Sequence, residues 1–81
     1  MRILGQIPHP ELLITVFKSG NKIIIKFEIG PFEQTYKFLE TDKLSNLEDA
    51  IKLVTEAWIQ DVYQVFNSMN ATYKIRSHEI S

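Results

Sequence analysis

From Glu11 to Leu39 apolar and polar residues alternate, and two short turns lock the segments between them into one register. A period of two is the mark of a strand with one buried face. With Gly20-Asn21 as a two-residue turn, glycine supplying the positive φ, Lys18 lies opposite Ile23, Val16 opposite Ile25, Ile14 opposite Phe27 and Leu12 opposite Ile29. A second such turn at Gly30-Pro31 sets Ile29 opposite Phe32, Phe27 opposite Gln34, Ile25 opposite Tyr36 and Ile23 opposite Phe38. Both turns put the same middle-strand residues on one face, and a slip of one residue would invert them all. That face is the core, with Gln34 its one interior polar residue. The opposite face carries Thr15, Lys26, Glu28, Glu33, Thr35 and Lys37, but also Leu13, Phe17, Ile24 and Leu39.

After Leu39 the rhythm changes. Glu40-Thr41-Asp42-Lys43 reads as a loop, and Ser45-Asn46-Leu47-Glu48 fits a capping box in which Ser45 and Glu48 serve the free donors of a helix start. Leu47, Ile51, Val54, Trp58, Val62, Val65 and Met69 then recur at steps of three and four, the stripe of a helix lying on the sheet. Asn67-Ser68-Met69-Asn70 are poor helix formers. The spacing thus predicts one helix over 45–70 and a tail over 71–81, in which Thr72 to Ile75 is open to a last helical turn or a short extended piece. At the other end, Pro8-His9-Pro10 kinks the chain, so residues 1–10 are expected as an edge strand or arm beside a sheet over 11–39. The fold class is α+β, a single domain of 81 residues: a three- or four-stranded antiparallel meander covered on one face by one long C-terminal helix. A 25-residue helix is about 37 Å long, whereas an eight-residue strand spans about 26 Å. The helix should outrun its sheet.

Composition removes several function classes. With no cysteine there is no disulfide, thiolate nucleophile or cysteine-based zinc site. Nine Lys and Arg against ten Asp and Glu leave a net charge of −1, without the basic field that draws in nucleic acid. The opening Met1 to Ile7 is too short in apolar length for a signal peptide, and no apolar run approaches the roughly 20 residues of a membrane span. The expectation is a cytoplasmic protein with no membrane or nucleic-acid partner.

Chemistry-bearing residues form no motif. His9 near Glu11, and His78 beside Glu79, lack the further ligands a metal site needs. None of the five serines stands in a nucleophile-elbow context. Glu48-Asp49 suit the first turn of a helix, and Glu28 facing Glu33 reads as a solvated ladder with Lys26 and Lys37 beside it. The three glycines are too scattered to cradle a phosphate. No cofactor, metal or catalytic residue is assigned.

What remains is apolar surface. Phe17 falls directly across from Ile24 and, with Leu13, makes a cluster on the outer face. The helix is apolar beside its stripe at Ile59, Tyr63 and Phe66, and its overhang past the sheet carries Met69 and Tyr73. These eight residues are the candidate interface of a non-enzymatic module expected to dimerise, with an unknown protein partner also open to it. The alternative is a small-ligand binder or enzyme with a pocket at Gln34, Tyr36 and Trp58, between sheet and helix or at a dimer seam.

The stretches Ile3-Leu4-Gly5-Gln6-Ile7-Pro8-His9-Pro10, Ile24-Ile25-Lys26-Phe27-Glu28 and Gly30-Pro31-Phe32-Glu33-Gln34-Thr35-Tyr36-Lys37 resemble a group of short uncharacterised bacterial proteins. The likeness covers about half the chain. It implies a compact sheet-plus-helix protein of bacterial type and brings no activity with it.

Overall fold

A computed structural model describes residues Met1–Ser81. Four antiparallel strands, β1 (Arg2–Ile7), β2 (Leu13–Ser19), β3 (Lys22–Ile29) and β4 (Phe32–Leu39), form a meander in the order β1-β2-β3-β4. Two helices follow, α1 (Leu47–Leu53) and α2 (Glu56–Ile80). The fold is the α+β meander with a long C-terminal helix that the alternation implies.

Both hairpins adopt the register set by their turns. Val16 pairs with Ile25, Ile14 with Phe27, Phe27 with Gln34 and Ile25 with Tyr36. Gly20 and Gly30 take φ of 59° and 55°, the left-handed region that a two-residue turn needs at its first position. The outermost expected pair does not form, because β2 begins at Leu13 and Leu12 lies ahead of the ladder. Leu12 still joins the core, with Ile14, Val16, Ile23, Ile25 and Phe27.

The N-terminal segment is a true fourth strand. It pairs with β2 through Ile3 to Phe17 and Gly5 to Val16, with a bulge between them. The bulge puts two successive residues on the core side, Leu4 packing against the core and Gly5 standing opposite core-facing Val16. The kink after β1 is held by His9, whose Nδ1 accepts the backbone N–H of Glu11 at 3.1 Å and of Leu12 at 3.0 Å.

The helical region departs from the single helix expected over 45–70. Its start lies one residue later than the expected box: Asn46 is the cap, its side chain accepting Asp49 N–H at 2.9 Å, while the Asp49 carboxylate accepts the N–H of Ser45. The helix then stops at Val54, and a second cap begins α2, Thr55 Oγ1 accepting Trp58 N–H at 3.3 Å. The break is a packing solution. It lets α1 lie toward β1, where Leu47 meets Gly5, while α2 crosses toward β4. It also changes the phase of the buried stripe to Ala50, Val54, Ile59, Val62 and Phe66, leaving Ile51 and Val65 exposed.

Residues 71–81 are helical nearly to the end rather than a separate tail. No proline or glycine follows Pro31, and the cost of Asn67, Ser68 and Asn70, about 0.5 kcal/mol each, is opposed by packing on both sides of them. Phe66 and Tyr73 both meet the ring of Phe32, with centroids 6.4 and 5.3 Å away. The far end of α2 runs past the sheet. The Cα radius of gyration is 14.4 Å, against about 12 Å for a compact chain of this length.

Candidate functional site

Gln34 is the polar residue that the register buries, so its partners decide what the core face can do. Its Nε2 donates to the carbonyl of Val62 in α2 at 2.9 Å, and its Oε1 accepts the Tyr36 hydroxyl at 2.5 Å. The amide is thereby satisfied by the helix backbone and one neighbour, and no buried side-chain polar atom lacks a partner. Trp58 closes the remaining space, standing edge-on to Phe27, Tyr36 and Phe38 with centroids 5.1 to 5.9 Å apart. Gln34, Tyr36 and Trp58, expected to line a pocket, instead form a filled aromatic layer with a polar clasp. They do not line the groove that the structure has.

That clasp should contribute to stability. Gln34→Leu is expected to cost about 1–3 kcal/mol, because the Tyr36 hydroxyl loses its acceptor and Val62 its second donor. Tyr36→Phe should cost about 1 kcal/mol, and the pair together less than the two losses added. Urea titration of the three variants measures the coupling; simple additivity would show that the contact contributes nothing.

The groove lies at the β3–β4 turn, where Gly30, Pro31 and Phe32 face Tyr63, Phe66, Asn67 and Asn70 of α2 across about 330 Å³. Tyr63 stands on the side of α2 nearer β2, its hydroxyl donating to Glu11 Oε1 at 3.3 Å and its ring 6.2 Å from that of His9. Partial burial and the adjacent Glu11 carboxylate push the Tyr63 phenol above its ordinary value. The phenol is therefore a donor at neutral pH rather than a base. Glu11 and Tyr63 are far apart in the chain, and nothing in either local sequence signals their meeting.

No three His, Cys, Asp or Glu side chains come together as a metal site. His9 is committed through Nδ1 to the backbone, and Glu79 pairs with Arg76 at 3.0 Å.

The eight candidate interface residues separate into two groups. Ile59 and Phe66 are buried against the sheet and Ile24 is buried on the outer face, so these three are not surface. Burial of Ile24 without a covering element follows from its central position in β3, with Phe17 and Lys37 opposite it on either side. Lys26 lies over the Phe17 ring, 5.3 Å from its centroid, and pairs with Glu28 at 3.4 Å. Leu13 and Tyr73 are exposed, and Phe17, Tyr63 and Met69 are half-buried. The docking of β1 adds a residue that sequence spacing missed: Ile3 lies across from Phe17, giving a cross-strand row of Ile3, Phe17 and Ile24 on the outer face.

A second apolar line runs along α2. Trp58, Val65 and Met69 fall on one side of the helix at spacings of seven and four. Trp58 touches Tyr36 and Phe38 of β4, so this flank stands over β4, opposite the flank that carries Tyr63. Val65, at its centre, is 44% exposed.

Comparison with family models, curated proteins and solved structures finds no match. No helix is long and apolar enough to cross a membrane.

Proposed function

We propose that this chain is a non-enzymatic interaction module of a bacterial cytoplasm that self-associates as a dimer through the flank of α2 that stands over β4. The supporting observation is Val65, an exposed aliphatic side chain between half-buried Trp58 and Met69 on that flank. Burying such a line against its own copy removes apolar area worth roughly 25 cal/mol per Å² from water, and a two-fold axis makes one patch serve both partners. On the outer face, exposed Ile3 and half-buried Phe17 offer a second surface, suited to a different protein.

Light scattering over a concentration series tests the reading. The wild-type chain is expected to pass from monomer to dimer in the micromolar range, and Val65→Asp to shift that transition at least about tenfold upward, since a desolvated carboxylate costs well over 1 kcal/mol. Circular dichroism should show the variant still folded, Val65 being outside the core. A wild-type chain that stays monomeric at every concentration sinks the proposal.

The groove at the β3–β4 turn favours a second reading, binding of a small ligand by the Asn67 and Asn70 amides above an aromatic floor. Its test is an amide chemical-shift map with a fragment mixture, in which binding perturbs Gly30, Phe32, Asn67 and Asn70 together. Shifts scattered over the surface would dismiss it.

A further inference from the structure

The hydrogen-bond phase of the outermost strand shows which of its backbone groups are unused. Glu40 N–H donates to Asn21 C=O at 2.7 Å, just beyond the last β3–β4 pair. Bonded and non-bonded pairs alternate along an antiparallel ladder, so the residues of β4 that bond to β3 are Phe32, Gln34, Tyr36 and Phe38. Glu33, Thr35, Lys37 and Leu39 therefore turn their N–H and C=O groups away from the sheet. None of these groups takes part in the backbone bonds outside regular elements, no side chain bonds to them, and all four residues are exposed.

The other edge is blunted. β1 is broken by its bulge between Ile3 and Gly5 and is followed by Pro8. β4 runs eight residues without a bulge, glycine or proline. An uninterrupted edge of this kind is a template for a further strand.

Resting on the self-association proposed above, we infer that the added strand is β4 of a second copy, antiparallel across a two-fold axis at Thr35. In that register Thr35 lies opposite the partner's Thr35, and Glu33 lies opposite the partner's Lys37, with the reciprocal pair on the other side of the axis. Each of these outward-facing pairs exchanges two backbone hydrogen bonds. On the core face Phe32 meets the partner's Phe38, and Gln34 the partner's Tyr36, so both aromatic layers continue into one sheet of eight strands. The neighbouring registers are poorer. A shift of two residues one way puts Glu33 against the partner's Leu39 and Thr35 against Lys37. The same shift the other way sets Glu33 against the partner's Thr35. A shift of four sets Lys37 against Lys37 or Glu33 against Glu33, and a shift of one would place core side chains beside outer ones.

The same axis stands perpendicular to the sheet and keeps both α2 helices on one side of it, antiparallel. The flank of Trp58, Val65 and Met69 then turns toward its counterpart in the partner, which covers Val65. The edge supplies the backbone pairing and the charges set the register.

The test uses the full chain in light scattering, with charge variants and a single cysteine. Lys37→Glu places like charges together twice per dimer and is expected to weaken dimerisation roughly tenfold or more. Glu33→Lys with Lys37→Glu exchanges the signs and should restore it. Neither side chain has a partner within the chain, so the variants should fold as the wild type does, which circular dichroism checks. Thr35→Cys supplies the only thiol in the sequence; in a bonded pair across the axis the two Cβ atoms would be about 5.5 Å apart, wide for a direct disulfide but within the span of a short bismaleimide. That reagent should give a covalent dimer. A dimer that ignores Lys37→Glu and does not cross-link through Thr35→Cys overturns the β4 register, while self-association by another surface stands. A dimer weakened by Lys37→Glu but not recovered in the double variant also overturns it. A wild-type chain that is always monomeric overturns both this register and the proposal beneath it.

Discussion

Phe27→Ala is expected to cost about 3–5 kcal/mol, enough to leave much of the chain unfolded. Phe27 is fully buried in the middle strand, and Trp58 and Tyr36 stand edge-on to its ring at 5.1 and 5.9 Å. Truncation removes the transfer energy of the ring and opens a cavity beneath two large aromatics that belong to different elements. A domain of this size is held by roughly 4–12 kcal/mol, at ~0.05–0.15 kcal/mol per residue. The loss is therefore a large fraction of the whole. Urea denaturation at one protein concentration measures it, the fixed concentration being needed because self-association of the proposed kind would add to apparent stability. A loss below about 1 kcal/mol, the scale of an ordinary surface change, would mean that the aromatic layer is not what joins helix to sheet.

Gly5→Ala is expected to cost about 1–3 kcal/mol through the backbone alone. Gly5 has φ of 153°, a conformation that side chains rarely adopt, and an added Cβ would stand 2.6 Å from Leu47 Cδ2. The contact can relax, because it involves the flexible end of a leucine; the backbone strain cannot. Leu47→Ala in the same chain should therefore relieve only part of the strained variant's defect, after allowance for its own lost packing. Thermal unfolding resolves this, at about 4–8 °C per kcal/mol for a domain of this length. An unchanged melting temperature for Gly5→Ala would show that the β1 bulge is not held in place.

These two residues mark how far sequence reading reaches. Phe27 is legible as core because alternation and two-residue turns are local, and both hairpins depend on it for the same register. Gly5 reads only as a strand glycine. Its need for an unusual φ arises when Ile3 and Gly5 pair with Phe17 and Val16 while Leu4 bulges inward to the core. The helix boundaries failed for a related reason. Ser45, Asn46 and Thr55 are all acceptable caps, and which two are used depends on the angle at which α1 and α2 cross the sheet.

The candidate site divides along the same line. Gln34 stands out in sequence as the polar member of an apolar face, but its pairing with the Val62 carbonyl requires α2 to lie directly over β4. Tyr63 and Glu11 are joined only by the fold. Ile59, Phe66 and Ile24 are apolar in positions that sequence reading could assign to a surface, yet packing buries all three.

By itself the sequence determined the meander, its register, its buried face and the presence of a helix longer than the sheet, because each depends on spacing between near neighbours. Only the tertiary structure decided where that helix breaks, how far it runs, which apolar residues remain exposed and which sheet edge is open. Those outcomes depend on contacts between residues distant in the chain, where many local patterns are equally acceptable and the competition for a single small core selects among them.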